Sequence, residues 1–319
     1  MHISDDYDDS VHSISVNRII ERYSLDRIYL PENIDTRTIS VVEVYRPGLQ
    51  LAGYLEGFKP ERVQLFGRTE MNFLGTLSRS ERQKKLDNYM HEDIPCIIIS
   101  NSLPVYDEII KAARMKKVPV LRTFETTSVF LAMLISYLNL ELAERMTIHG
   151  ELLELYGVGI LITGHSGVGK SETALELVKR GHRLIADDVV ELRKVSQTTL
   201  LGTSPEIIRH FMELRGVGII DVKGLYGAGS VKDIDSIDLV INIERWDDDK
   251  KYDRIGVDEV YTEYMGIKIP SLTLPIMPGR NMPILMEVAA MDFRQKKMGY
   301  NAAKEMYERV NKKFEDNPG

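Results

Sequence analysis

Residues 164–172 read GHSGVGKSE, and Gly164–Ser171 satisfies G-x-x-x-x-G-K-[ST] at every fixed place. Each residue type in that pattern answers a physical need. The glycines let backbone N–H groups converge on phosphate oxygens, and the positive end of a following helix adds to the field. The lysine reaches the outer phosphates, and the serine hydroxyl suits a divalent cation. A loop of this kind joins a strand to a helix, and its flanks agree. Apolar Val158–Thr163 precedes it, and Ser171–Arg180 follows with Ala174, Leu177 and Val178 on one face and Gly181 as its stop. The stretch therefore predicts an α/β fold built around a nucleotide-phosphate cradle. Gly164, His165, Ser166, Gly167, Val168, Gly169, Lys170 and Ser171 form the cofactor-binding loop, with His165 an exposed member of it.

Asp187 and Asp188 close the run Leu184-Ile185-Ala186, only 17 and 18 residues after Lys170. Acids at the carboxyl end of a strand in an open α/β sheet lie where ligands bind. Two adjacent acids can divide the work, one holding Mg²⁺ or its waters and the other accepting a proton from an attacking hydroxyl. The residues alone leave open which does which. Asp221-Val222-Lys223-Gly224 matches the D-x-x-G element of GTPases, but no N-K-x-D follows, and an L-S-G-G-Q is also missing. On residue type alone, His149 is a hydrogen-bonding histidine before the loop strand, and Arg254 sits in the charged loop Trp246–Arg254.

The rest of the chain fits two domains, 1–134 and 135–319, in 319 residues. Residues 1–12 are acidic and polar and read as a frayed tail. In the first domain Thr38–Val44, Val63–Phe66, Cys96–Ser100 and Val118–Leu121 read as strands and Leu103–Lys116 as a helix, an alternation that predicts parallel pairing. Thr127–Glu144 is a helical bridge into the second domain. There Thr147–Leu155, Arg183–Glu191, Val217–Val222 and Ile237–Ile243 read as strands and Pro205–Leu214 as a helix. Gly266–Ile276 leads to a turn at Pro278–Asn281, and a last helix from Ile284 to Phe314 is interrupted near Gly299.

Composition supports a packed core, with 43% apolar and 28% charged residues. The net charge of −7 argues against general nucleic-acid binding. Cys96 is the only cysteine, sits in an apolar run, and is expected to be buried and inert. With no disulfide framework, no signal peptide and no membrane-length apolar stretch, a cytoplasmic protein is expected.

Several blocks together resemble the HPr kinase/phosphorylase family. They are Ile148-His149-Gly150, Gly164–Glu172, Ile185-Ala186-Asp187-Asp188, the run MELRGVGIID at 212–221, Asp253-Arg254-Ile255-Gly256, and Pro275–Asn281. Their order and spacing agree over about residues 145–295, and Gln64-Leu65-Phe66-Gly67 resembles the more variable N-terminal domain. The resemblance implies a small N-terminal α/β domain and a catalytic domain like the phosphoenolpyruvate carboxykinase-like P-loop folds. It implies a Mg²⁺-dependent enzyme that phosphorylates a regulatory serine of the phosphocarrier protein HPr with ATP or pyrophosphate. It also implies dephosphorylation by phosphorolysis, inorganic phosphate giving pyrophosphate, in a homohexamer serving carbon catabolite regulation. Ser171 and Glu213 would bind the metal; His149, Lys170, Asp187, Asp188 and Arg254 would be catalytic, with Asp188 the proton acceptor in one direction and donor in the other. Segment 212–221 would serve both reactions, and Pro275–Arg280 chiefly dephosphorylation. His165 stands where the family more often has an acid, and Met277 where it has another residue type. A small-molecule or carboxykinase-like P-loop enzyme and a non-catalytic nucleotide-binding regulator are the alternatives; intact Lys170, Asp187, Asp188 and Glu213 argue against the second.

Overall fold

The computed structural model describes residues 6–8, 12–250, 252 and 259–315, and the chain divides into two compact units. One comprises Ser10–Glu144; the other comprises Arg145–Gly319 together with Met1–Asp9.

The first unit is organised by short apolar runs that cannot face water on either side. Its five-stranded sheet runs Asp26–Tyr29, Val120–Arg122, Ile97–Ile99, Val63–Phe66, Val44–Tyr45. The last four strands pair in parallel, as the alternation of strand and helix predicts, and Asp26–Tyr29 is an antiparallel edge. Leu65, Ile98 and Leu121 pack on one face, with Phe130, Leu134 and Leu138 of the helix Thr127–Glu141. Phe66, Ile97, Ile99 and Val120 pack on the other, under the helices Arg79–Tyr89 and Asp107–Lys116. Cys96 is fully buried, and burial pushes its thiol up to about 12, so the inert reading holds. The expected strand Thr38–Val44 is in fact two pieces, Thr38–Ile39 and Val44–Tyr45, which join different sheets.

In the second unit a six-stranded sheet runs Arg183–Ala186, Glu151–Leu155, Val158–Gly164, Leu239–Arg245, Ile267–Ile276, Val260–Tyr264. Alternation along its strands assigns the two faces. Leu153, Leu155, Ile160, Ile162, Leu239, Ile241 and Ile243 pack against the helices Lys170–Lys179 and Met282–Lys297. Leu152, Leu161 and Val240 point the other way, into a core shared with Val190, Leu192 and Leu200 of a second, five-stranded sheet. Among the described residues the last helix is interrupted, as expected, between Met282–Lys297 and Ala302–Glu315, with Gly299 at φ 94.

Four sequence expectations are corrected here. Asp6–Asp8, inside the expected frayed tail, is a strand paired antiparallel with Arg145–Thr147 of the five-stranded sheet. Thr147–Leu155 breaks at Gly150 into Glu144–His149, in the five-stranded sheet, and Glu151–Leu155, in the six-stranded one. Arg183–Glu191 breaks at Asp187-Asp188 in the same manner, into Arg183–Ala186 and Val189–Lys194. Pro205–Leu214 is no helix: a 3-10 turn at Glu206–Ile208 leads through His210, at φ 69, into the strand Phe211–Leu214. The left-handed residue ends any helix, and Met212 and Leu214 are buried while Phe211 and Glu213 are exposed, the period of a strand. This strand forms a hairpin with Gly218–Asp221.

Candidate functional site

The phosphate-binding loop lies where the sequence places it, between the strand Val158–Gly164 and the helix Lys170–Lys179. Gly164, Gly167 and Gly169 all have positive φ, and a Cβ on Gly164 would sit 2.2 Å from the Ile243 carbonyl oxygen. Only glycine fits that position. Lys170 Nζ donates to the Gly164 carbonyl at 3.3 Å, so its ammonium folds back over the loop. Beside the loop a cavity of about 430 Å³ is lined by His165, Ser166 and Val168 on one side and Glu244, Arg245, Asp247 and Lys250 on the other. His165 is exposed, as expected, and faces this space.

Two strand corners complete the site. The strand Arg183–Ala186 is antiparallel to Glu151–Leu155, which is antiparallel to the loop strand. Two reversals bring its carboxyl end, with Asp187 and Asp188, to the same edge as the loop. Both this strand and its neighbour change sheets at that edge, so the corner at Gly150 meets the corner at Asp188. Gly150 N–H donates to the Asp188 carbonyl at 3.2 Å, and His149 Nδ1 lies 2.9 Å from the same oxygen. His149 Nδ1 is also 3.3 Å from Asp188 Oδ1. An Nδ1–H tautomer would donate to both oxygens and fix the aspartate carboxylate.

The adjacent acids occupy opposite environments. Asp188 takes the left-handed conformation, φ 62, and its side chain is 64% exposed. Asp187 is 6% exposed, and its Oδ2 accepts the backbone N–H of Glu213 at 3.0 Å. Burial lifts the Asp187 carboxyl to about 6, with the Asp188 charge adding to it and the Glu213 N–H opposing. That hydrogen bond ties the hairpin 211–221 to the site and brings Glu213 beside it on an exposed strand position. Arg215 follows, and its Nη2 donates to Ser166 Oγ of the loop at 3.3 Å. Asp221, the acid of the D-x-x-G match, caps the helix Val222–Tyr226 by accepting from Gly224 N at 2.9 Å, a structural task.

Glu151 is the residue that sequence reading missed. It follows His149-Gly150, and its carboxylate is buried beneath the loop helix, where Oε1 accepts from Ser171 Oγ at 3.2 Å. Burial pushes its carboxyl up to about 8, with the neighbouring Asp187 charge the next cause. A signal existed in the sequence: period two sets Glu151 on the face of Leu153 and Leu155, an acid at a core position. Structure thus brings together His149, Glu151, the loop with Lys170 and Ser171, Asp187, Asp188 and Glu213. Arg254 and the rest of its 253–256 block lie outside the described residues.

Comparison with known proteins relates the chain as a whole to one family. Residues 140–310 match the family model described as the HPr Serine kinase C-terminal domain, and residues 14–138 match the HPr Serine kinase N terminus. An HPr kinase/phosphorylase of Caldanaerobacter subterraneus subsp. tengcongensis is 48% identical over 304 residues, covering 95% of this chain and 99% of that one. One from Caldicellulosiruptor bescii is 49% identical over 300 residues, with 94% and 96% covered. A solved structure, the Hpr(Ser) kinase/phosphatase from Coxiella burnetii, is 32% identical and covers 48% of this chain and 98% of that chain, at a TM-score of 0.43.

Proposed function

The chain belongs to the HPr kinase/phosphorylase family, and from that premise we propose that it phosphorylates a serine of HPr from ATP or pyrophosphate and reverses the step by phosphorolysis. The observation that carries the reading is the split between its two aspartates. A base that must take a proton from a hydroxyl on another protein has to be open to that protein, and Asp188 is 64% exposed. Asp187, 6% exposed and hydrogen-bonded to Glu213 N, is placed to organise the site from beneath.

In the forward direction Lys170 and the N–H groups of Gly164–Ser171 hold the donor's phosphates. Asp188 accepts the proton of the HPr serine as its oxygen bonds to the transferred phosphorus and the bond to the leaving phosphate breaks. His149 keeps the acceptor oxygen in place, at 3.3 Å. Arg254 is proposed as a further active-site cation. Positioning and charge stabilisation supply most of the acceleration in such transfers. In reverse, an oxygen of inorganic phosphate bonds to the phosphoserine phosphorus, the serine oxygen leaves, and protonated Asp188 returns the proton to it. The products are HPr and pyrophosphate.

The residues fit Mg²⁺: Ser171 Oγ, Asp187 and Glu213 offer hard oxygen donors, and Asp187 Oδ1 is buried with no hydrogen-bond partner. Bound there, the ion would neutralise charge on the phosphates. By the same family premise the chain acts as a cytoplasmic homohexamer, and light scattering that returned a single chain mass would overturn that part. Among the described residues no helix is long and apolar enough to cross a membrane.

The test combines the protein with HPr and labelled ATP, then adds excess inorganic phosphate. HPr should gain label on serine and then lose it as labelled pyrophosphate appears. Label that leaves HPr as free phosphate would refute phosphorolysis, and no label on HPr would refute the kinase reading.

A further inference from the structure

Glu151 has no role in the mechanism above, yet it is an acid at a buried position of the six-stranded sheet. Its residue is 1% exposed, and one oxygen accepts the Ser171 hydroxyl at 3.2 Å. The other, Oε2, is buried with no hydrogen-bond partner, and Asp187 Oδ1 is in the same condition. Buried polar atoms are almost always satisfied, and a buried carboxylate oxygen without a donor is costly. Two of them on carboxylates close enough to repel each other do not belong to a hydrophobic core.

One ligand class relieves both at once. A small divalent cation takes oxygen donors, uses one or two carboxylates, and completes its shell with phosphate oxygens and water. Among the described residues no three carboxylate, imidazole or thiol side chains form a ready metal cage. Glu151, Asp187 and the Ser171 hydroxyl make a buried partial shell, with Glu213 on the exposed strand position beside it, of the kind such an ion shares with phosphates. Glu151 Oε1 accepts the hydrogen bond that the Ser171 hydroxyl donates, which leaves the hydroxyl lone pairs free to face a cation.

We propose that Glu151 is a protein ligand of the divalent cation, joining Ser171 and Asp187 through Oε2. The inference rests on the reading of Ser171 as a cation ligand and extends it. Two buried carboxylates let the site hold its cation with no nucleotide present. That matters for a reaction whose phosphate ligands differ in size between its two directions.

The experiment is a titration of the nucleotide-free chain with Mn²⁺, read by the loss of the free-ion EPR signal. Wild type should bind the ion, and Glu151→Gln should bind it at least ~10-fold more weakly, the order seen when a metal site loses a supporting group. Glutamine keeps the volume and can still accept from Ser171, so a merely structural role predicts unchanged affinity, and that result overturns the proposal. Glu151→Asp serves as a second variant if the first does not fold: it keeps the charge, withdraws the oxygen, and should also weaken binding. Ser171→Ala separates the two readings. If it leaves Mn²⁺ affinity intact, the metal assignment of the loop itself fails; if it weakens binding while Glu151→Gln does not, only the Glu151 proposal fails. A wild-type chain that binds no Mn²⁺ without nucleotide also overturns it.

Discussion

In a chelated buffer, Glu151→Gln should stabilise the second unit, and the gain should grow with pH. An isolated glutamate titrates near 4.5, whereas burial, then the Asp187 charge, lifts the Glu151 carboxyl to about 8. The folded chain therefore keeps a proton that the unfolded chain releases between those values. Wherever the unfolded state binds fewer protons, stability falls as pH rises. At ~1.4 kcal/mol per pH unit, the gap sets a ceiling of about 5 kcal/mol above pH 8, with about 3 kcal/mol of it reached by pH 7. Below pH 4.5 both states are protonated and the term vanishes. Glutamine fills the same space and never ionises, so it escapes the loss. The only tryptophan, Trp246, lies in this unit, and its fluorescence reports the melting directly. At ~2–4 °C per kcal/mol for a unit of this size, the variant's lead in Tm should widen by roughly 6–12 °C between pH 4.5 and 7. A fixed offset could arise from the new amide's own packing, so the slope is diagnostic. A Tm difference that does not change with pH would refute the reasoning.

Asp188→Asn should lower both phosphorylation and dephosphorylation of HPr by ~10²–10⁴-fold while nucleotide binding, followed by calorimetry, is retained; full kinase activity would move the base elsewhere. Lys170→Ala should weaken ATP binding in the same calorimeter and, without ligand, lower Tm only modestly, since its ammonium makes one long 3.3 Å bond to the Gly164 carbonyl and eases the charges of the buried Glu151 and Asp187. Gly159→Ala would put a Cβ 1.7 Å from the Ser236 carbonyl oxygen, so a loss of ~3 kcal/mol or more, or an insoluble product, is expected on urea titration. In the first unit, Glu108→Gln leaves Arg82 buried without the carboxylate now 3.1 Å away. It should destabilise that unit by about 3 kcal/mol, measured as faster amide exchange in the helix Asp107–Lys116.

The parts of this molecule legible in its sequence are those fixed by local chemistry. The phosphate loop and its helix start, the strand Val63–Phe66 and the break near Gly299 each depend on residues adjacent in the chain. What was not legible depends on tertiary partners. Pro205–Leu214 has apolar residues at both helical and strand spacings, and its hairpin partner Gly218–Asp221 decides between them. The helix Arg79–Tyr89 is polar nearly all round, anchored by buried Arg82, Leu86 and Tyr89, so its periodicity is faint. Its start was nevertheless written in Ser78 and Glu81, which cap each other. The end of an apolar run at Asp187-Asp188 is legible, but the spans Thr147–Leu155 and Arg183–Glu191 still pass through Gly150 and the two acids because nothing local says that a strand changes sheets. For that reason the acid at 151 passed for one more strand residue.

The same corner explains how neighbours in sequence come to different tasks. In an unbroken strand Asp187 and Asp188 would point to opposite faces of one sheet, both packed in this unit. At the sheet change, Asp188 instead adopts φ 62, a conformation that aspartate and asparagine tolerate better than most side chains. Its carbonyl is then held by Gly150 N–H and its carboxylate turns outward beside His149, while Asp187 stays beneath the loop. Strain and function therefore share one residue, and this governs how the base can be tested. A β-branched residue or alanine at 188 would disturb the corner, the Gly150 bond and the position of Asp187 together with the charge. Asparagine preserves the left-handed backbone and removes only the proton acceptor, so its loss of activity can be assigned to chemistry.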